Sequence, residues 1–523
     1  MKSSRFHRLL FSACARVNRG KVLKWILIVL PGAILLYITA PFGLGSSSDS
    51  SSYILTAYNV MHGLGVGEID SEGVFHPLTH WPPLLPILLG YVSDMTGMSP
   101  LETARYLNAI IYCLNIFLFQ VICRNIFIQP GSLTTIGSLI LIGSESMLNT
   151  HALVWSEPLF IFFLLLSYYL LLKAGEGSIR IAILLGFALA FASLTRYAGI
   201  FFFILIILYL VVFQGWGIRK WRQFAWIAGI YSLVFGGWLL RNIAVSGRPT
   251  SRRFHVEFFG PEYYEHLFQT IRKWLLPFHP WWIYLLFFGA GIIVIVTLVN
   301  GKHLLKPEIN KIINKSLLAG MLIIGYLCCI WFSKTFFDHA TPFDVRILSP
   351  VFPFGLLILL IGSHKLLNIL HEFNIGKIAL TVFLITILGS TAINAVYFGQ
   401  QMRSTGWLYT GSAFNDEQTR AYLLNFRPDE VVYSNVPAAI RIQTGKQKGL
   451  YALPASPGQE RYTPEDDLSP VSSMIGKLRD EKGVIFYYRN AHINLNRMDT
   501  TFIESIPSLK LIERLSLANV YAF

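Results

Sequence analysis

A single carboxylate, Asp49, stands where the chain first leaves an apolar run, flanked by Ser46–Ser48 and Ser50–Ser52. A carboxylate among small hydroxyl residues has room to receive an incoming hydroxyl and take its proton, the task of a general base. On composition alone the same stretch also reads as a solvated Ser/Asp linker. The residues after it tell against a linker. Tyr53, Ile54, Ala57, Tyr58 and Met61 keep a helical spacing, which predicts an amphipathic helix laid on a membrane surface. His80-Trp81-Pro82-Pro83 then supplies an aromatic at interface depth and two prolines that stop a helix.

Further along, Glu157 opens an apolar run, where an acid facing lipid would cost about 2.5–3.5 kcal/mol. It is expected to face a cavity instead, orienting an acceptor or joining Asp49 in holding a divalent cation. Favourable placement at a helix N-terminus is the simpler reading. Arg196 sits between two apolar runs without an acidic neighbour in sequence; a phosphate matches its guanidinium fork, and snorkelling to headgroups is the alternative. Arg241 and Arg346 border apolar runs at their outer ends, and Lys334 is a lesser candidate of the same kind. Together such cations would stabilise a departing phosphate, where charge accumulates. His62, His76 and His80 share the first loop, but their spacing fits no metal motif, so a hydrogen-bonding role suits them better.

These residues need elements to position them. Of 523 residues, 54% are hydrophobic and 14% charged, about half the charge density of a soluble protein. Soluble, disordered, fibrous and disulfide-scaffold classes are excluded. Five cysteines lie in the N-terminal tail or inside apolar runs, with no metal-ligand spacing. The net charge of +14 suits either nucleic acid or basic cytoplasmic loops. Its distribution decides for loops: the first 24 residues hold seven Lys/Arg and no acid, and none occurs between Trp25 and Ala104. Roughly eleven apolar stretches are long enough to span a bilayer: 23–43, 103–123, 132–149, 157–173, 179–195, 198–214, 222–241, 281–299, 316–333, 347–363 and 378–398. The pair around Arg196 is also compatible with a re-entrant hairpin. The stretch 84–92 is too short to span and is expected at the interface.

Basic loops orient the chain with tail 1–22 in the cytoplasm and loop 44–102 outside. Loop 242–280 is outside yet carries Arg248, Arg252, Arg253, Arg272 and Lys273, a charge suited to anionic ligands. Residues 401–523 hold balanced charge and no run long enough to span. Strands are predicted at 430–434, 483–488 and within 509–522, with helices near 416–426 and 470–481. The expected fold is therefore mainly α: about eleven transmembrane helices over 23–400, with a small extracytoplasmic α/β domain at the C-terminus.

The ordered set resembles the GT-C superfamily of membrane glycosyltransferases, in its family 39-like branch of protein mannosyltransferases and lipid A aminoarabinose transferases. The resemblance rests on Asp49 with Tyr53 and the 57–63 helix, on His80-Trp81-Pro82-Pro83-Leu84-Leu85-Pro86, and on Trp155-Ser156-Glu157-Pro158-Leu159-Phe160. Leu194-Thr195-Arg196-Tyr197-Ala198-Gly199, Trp238-Leu239-Leu240-Arg241-Asn242 and Arg346-Ile347-Leu348-Ser349-Pro350 complete it. It covers residues 20–400. One departure is Ser50, where the family often has Glu after its Asp. The resemblance implies a GT-C fold in the cell (inner, cytoplasmic) membrane and transfer of a sugar from a polyprenyl-phosphate donor on the outer face, with inversion. The acceptor would be a glycan, lipid or protein; membrane lipids would be partners and nucleic acid would not. It implies Asp49 and Glu157 as catalytic groups, and His80, Arg196, Arg241, Arg346, Lys334 and Tyr53 as substrate contacts. No Walker loop, dinucleotide fingerprint or nucleophile elbow is present, so a lipid-linked donor suits the chain better than a nucleotide. Two rivals share the cavity: a flippase of lipid-linked sugars, and an inactive GT-C scaffold. Against a flippase, no paired broken helices in two related halves are visible.

Overall fold

The computed structural model describes residues 29–37, 40–127, 131–174, 178–213, 217–252, 254–257, 260, 262–275, 307–338, 343–369, 374–427, 429–454, 469–489 and 498–523. The tail 1–22, Arg253 and the expected span 281–299 lie outside them. Ten of the eleven expected spans fall on helices: residues 29–37, Pro100–Ile126, Ser132–Gly143 with Glu145–His151, Glu157–Ala174, Ile179–Thr195, Gly199–Phe213, Ile218–Ser246, Pro307–Phe336, Phe352–Ile369 and Asn374–Thr405. Six described helices are long and apolar enough to cross a membrane, and several shorter ones are apolar. Their outward sides carry exposed Leu184, Ile204, Leu233, Ile324, Val382 and Ile385, a surface that lipid covers and water would not tolerate. The chain is a multi-pass membrane protein. Its largest core runs between the helices through Tyr112, Phe119, Phe160, Tyr168, Tyr326 and Leu357.

The third expected span, 132–149, is not one helix. Gly143 ends the first piece, and Ser144 turns extended (φ −68°, ψ 135°) to cap Glu145–His151, its side chain accepting from the N–H of Met147. Around Arg196 the two helices run as separate rods, with Arg196 extended between them.

The outer layer begins with the helix Ser48–Met61. It does not lie on lipid as its spacing predicts. Tyr53, Ile54, Leu55, Thr56, Ala57 and Asn59 are all buried, and the helix is enclosed by protein. The expected interfacial stretch is the helix Leu84–Thr96, which packs along it. Gly90 permits the approach: a Cβ there would stand 2.7 Å from Val60 Cβ and 2.8 Å from the Ala57 carbonyl oxygen. Between these helices lies a short antiparallel hairpin, β1 (Gly67–Ile69) and β2 (Phe75–Pro77), with Glu68 opposite His76. The helix Glu262–Leu275 follows the span Ile218–Ser246 and packs its Thr270 and Trp274 inward.

The C-terminal domain is the expected small α/β unit. Its sheet has the order β4 (Leu450–Ala452), β3 (Val432–Ser434), β5 (Val484–Tyr488), β7 (Ala518–Ala522), β6 (Lys510–Arg514). β3 pairs in parallel with β4 and β5, while β7 runs antiparallel to β5 and β6. The helices Glu417–Leu424, Pro437–Thr444, Ser469–Asp480 and Thr500–Ser505 cover it, and one apolar cluster fills each face. The domain is clasped to the outer loop. Asn59 and Gln447 exchange side-chain hydrogen bonds, Gln447 Oε1 also accepts from the N–H of Ile69 at 2.8 Å, and Gly449 N–H donates to the Ser71 carbonyl. Lys477 reaches Glu72 at 2.7 Å.

Candidate active site

The serine run is a set of ties rather than a linker. Ser47 caps the helix Ser48–Met61 in a reciprocal capping box with Ser50. The Ser50 hydroxyl then donates to the Val154 carbonyl at 2.8 Å, and Trp155 Nε1 donates to Ser47 Oγ at 2.9 Å. Just before the cap, Gly45 bridges in parallel to Leu153 and Ser46 to Leu408. Gly45 must lack a side chain, because a Cβ would stand 2.8 Å from Trp407 Cβ. Asp49 is thereby fixed in the first helical turn, where the helix dipole favours an anion.

The turn 152–156 delivers the next partner. Asn108, buried in Pro100–Ile126, donates to the carbonyls of His151 and Leu153 at 3.0 and 2.8 Å. His151 is itself buried between the Met147 carbonyl and Asn115. Glu157 follows as the first residue of its helix, with no exposed surface.

Arg346 comes from the far end of the sequence, on the short helix Val345–Leu348. Asp344 caps that helix by accepting from the N–H of Ile347 at 2.8 Å, and Tyr326 donates its hydroxyl to the Ile347 carbonyl at 2.8 Å. Burial raises the Asp344 carboxyl above its usual range. So anchored, Arg346 joins the two acids: Nη2 donates to Asp49 Oδ2 at 2.5 Å and Nε to Glu157 Oε1 at 2.7 Å. Its guanidinium lies 4.2 Å from the Trp155 ring centroid, a cation–π placement. Arg196 donates to Glu157 Oε1 as well, and to Ser156 Oγ at 3.3 Å. Tyr53 donates to that same Ser156 oxygen at 3.3 Å. Burial first, then the charges of Asp49 and Glu157, push the Tyr53 phenol up to about 12, so at neutral pH it stays a donor.

Two carboxylates and two guanidiniums thus cancel in a largely buried cluster where the helices Ser48–Met61, Glu157–Ala174 and Val345–Leu348 begin. Glu157 gives only Oε1 to the arginines; Oε2 is buried without a hydrogen-bond partner among the described residues. Among those residues no group of three or more His, Cys, Asp or Glu side chains is placed to hold a metal ion.

The other expected residues lie elsewhere. Arg241 donates to the backbone carbonyls of Leu78 (2.6 Å) and Val66 (3.2 Å) and lies over Trp238, so it fastens the outer loop. His80 borders the site: it pairs with Ser251 at 3.1 Å and meets Trp81 edge-on. Desolvation, then the charge of Arg252, hold its imidazole below its usual value, which leaves it neutral at pH 7. Lys334 is buried, its ammonium 3.7 Å from the Tyr263 ring centroid. His62 is exposed, and His76 pairs with Asp70 at 2.7 Å. Sequence reasoning missed Ser156 as the shared acceptor of Tyr53 and Arg196 and Tyr326 as the prop behind Arg346; only the run Trp155-Ser156-Glu157 carried a signal for either. Arg252, expected among the basic residues of loop 242–280, lies over Trp81 and pairs with Asp338 at 3.6 Å.

No protein-family model matches the sequence, and no curated protein matches it. Solved structures do. The ArnT of Cupriavidus metallidurans, solved bound to undecaprenyl phosphate, aligns with a TM-score of 0.60 at 12% identity over 97% of this chain and 98% of its own. The arabinofuranosyltransferase AftD from Mycobacteria aligns with a TM-score of 0.58 at 12% identity, covering 97% of this chain and 40% of its own. The archaeal oligosaccharyltransferase AglB of Archaeoglobus fulgidus, in complex with an inhibitory peptide and a dolichol-phosphate, aligns with a TM-score of 0.50 at 10% identity over 90% and 70%. The chain shares the fold of these membrane proteins.

Proposed function

We propose that this chain is an integral-membrane glycosyltransferase that takes a sugar from a polyprenyl-phosphate carrier and passes it, with inversion, to an acceptor hydroxyl on the outer face. The observation that carries this reading is Arg346 joining Asp49 to Glu157, with Arg196 on the same Glu157 oxygen. A carboxylate and two guanidiniums within one cluster are what a single displacement on a sugar phosphate needs. The fold it shares with structures solved with undecaprenyl phosphate or dolichol-phosphate supports the choice of carrier.

In the reaction, Asp49 takes the acceptor's hydroxyl proton as that oxygen bonds the anomeric carbon. The carbon–oxygen bond to phosphate breaks with its electron pair, and prenyl phosphate leaves. Arg346 and Arg196 face the oxygens on which that charge collects; donors of this kind act on the transition state. In the resting cluster Arg346 is occupied by Asp49. A phosphate that draws the guanidinium towards itself frees Asp49 to act as base, so donor binding and base activation are one event. Glu157 positions both arginines. Tyr53 holds Ser156 towards Arg196. A divalent cation at this site would be held by Asp49 and the unpartnered Oε2 of Glu157. Such an ion would neutralise phosphate charge.

The test incubates the purified protein in lipid with radiolabelled polyprenyl-phosphate sugar and an acceptor extract, with and without chelator. Release of prenyl phosphate that Asp49→Asn abolishes supports the transferase. Passage of the lipid across the bilayer with no release overturns it in favour of a flippase, and retention of intact donor without either identifies a scaffold.

A further inference from the structure

A cavity of about 440 Å³ opens between the β1–β2 hairpin, Trp81 and Arg441 of the C-terminal domain. Its volume lies within the about 300–1,000 Å³ usual for small-molecule sites. Ser52 forms part of the wall. It follows Asp49 by three residues on one helix, and such neighbours share a face with Cβ atoms about 5–6 Å apart. Contents of the cavity are therefore within reach of the base.

The wall is polar on opposite sides. Glu68 and Asp70 come from the hairpin, the hydroxyls of Ser52, Ser71 and Thr79 surround them, and Arg441 projects from the helix Pro437–Thr444. Asp70 is engaged: it pairs with His76 and accepts from the N–H groups of Glu72 and Val74. Glu68 and Arg441 both line the space, and no ion pair within 4 Å joins them among the described residues. Arg441 Nη2 reaches the Leu450 carbonyl at 3.4 Å, while its Nε is buried without a hydrogen-bond partner among the described residues. An acceptor and a donor thus face a gap between them. A hydroxyl fills such a gap, since it gives one hydrogen bond and takes others. A phosphate or carboxylate would be repelled by the two hairpin acids, and an acyl chain would leave Glu68 and Arg441 desolvated without partners. Trp81, half-buried in the wall, offers an aromatic surface.

We propose that this cavity is the acceptor subsite and that it takes a neutral, hydroxyl-rich acceptor, a glycan, held between Glu68 of the outer loop and Arg441 of the C-terminal domain. The proposal rests on the transferase reading. It makes the C-terminal domain one wall of the acceptor site, supplying a charged group as well as a cover.

Saturation-transfer NMR on the full-length protein in nanodiscs tests it with three probes: the neutral disaccharides maltose and lactose, glucose 6-phosphate, and a Ser/Thr-containing tetrapeptide. The disaccharides should give signal and the other two should not. The isosteric Glu68→Gln should weaken disaccharide binding by about tenfold, the effect of losing one good hydrogen bond to a charged group. Arg441→Ala should do likewise, and Glu68→Gln guards against a fold defect in it. Signal from the phosphate or the peptide without the disaccharides overturns the proposal, as does disaccharide binding that neither variant weakens. Native mass spectrometry for retained undecaprenyl phosphate on the same samples separates the two readings. Retention in the wild type and both variants leaves the donor reading standing whatever the sugars do. Its loss in the wild type overturns the donor reading and, with it, the acceptor role of the cavity, even where the disaccharides still bind.

Discussion

Asp49 and Glu157 are both acids beside Arg346, yet their surroundings divide the work. Asp49 keeps about a fifth of its side-chain surface open, whereas Glu157 has none. Asp49→Asn keeps shape and removes the base; turnover should fall about 10²–10⁴-fold with donor retention unchanged, measured as prenyl-phosphate release against lipid co-purification. Glu157→Ala should behave otherwise. It leaves Arg196 with no carboxylate among the described residues and Arg346 with Asp49 alone, and breaking a buried pair costs about 3–5 kcal/mol, so thermal unfolding in detergent should shift down alongside the loss of activity. A variant that unfolds at the wild-type temperature would show that the arginines find other partners. The acids and arginines are legible one by one, as charges at the ends of apolar runs. Their union is not: Arg346 and Asp49 are separated by 297 positions, and no local spacing announces such a bond. Arg241 shows the reverse. Its sequence context matches that of Arg346, but its hydrogen bonds are taken by the carbonyls of Leu78 and Val66, because the outer loop folds back across it.

Elements are legible where periodicity or length speaks, and misleading where burial changes sides. The apolar runs identify their helices, and the C-terminal strands appear at β3, β5 and β6–β7 as their β-branched and aromatic residues indicate. One apolar stripe places the helix Ser48–Met61 on lipid; Thr56 and Asn59, on its polar side, are instead buried against protein. The hairpin β1–β2 and the strand β4 escape notice: they are as short as β3 but lie in no longer β-branched run such as Glu430–Ser434. Of the side chains that tie the turn 152–156, Asn108 makes two hydrogen bonds, to the carbonyls of His151 and Leu153. Asn108→Ala removes both, which costs about 1–3 kcal/mol for buried groups left unpaired. The expected result is a lowered unfolding temperature and slower transfer with the donor still bound, because Trp155 and Glu157 lose their fixed register. Gly90→Val should overpack the two outer helices by about 1–3 kcal/mol, read as reduced expression of folded protein.

At the scale of the whole molecule, the C-terminal domain is legible as a domain but not as a neighbour of the base. Balanced charge and short strands reveal its class; nothing in the tail announces that Gln447 grips Asn59 and Ile69 or that Arg441 faces Glu68. Gln447→Ala should release the clasp, and hydrogen–deuterium exchange across 66–78 should rise while the membrane helices keep their protection. Unchanged exchange there would mean that the Glu72–Lys477 and Ser71–Gly449 contacts suffice. A tighter coupling lies deeper. Gly45 and Ser46, immediately ahead of the helix that bears Asp49, are stitched on one side to Leu153 and on the other to Leu408, and the N–H of Tyr409 closes the same seam on the Ser46 carbonyl. One stretch of backbone is thus the common hinge pin of the base, of the turn leading to Glu157 and of the stalk on which the outer domain stands. That seam ties the C-terminal domain to the helix bearing Asp49 by direct backbone pairing, with no free tether between them.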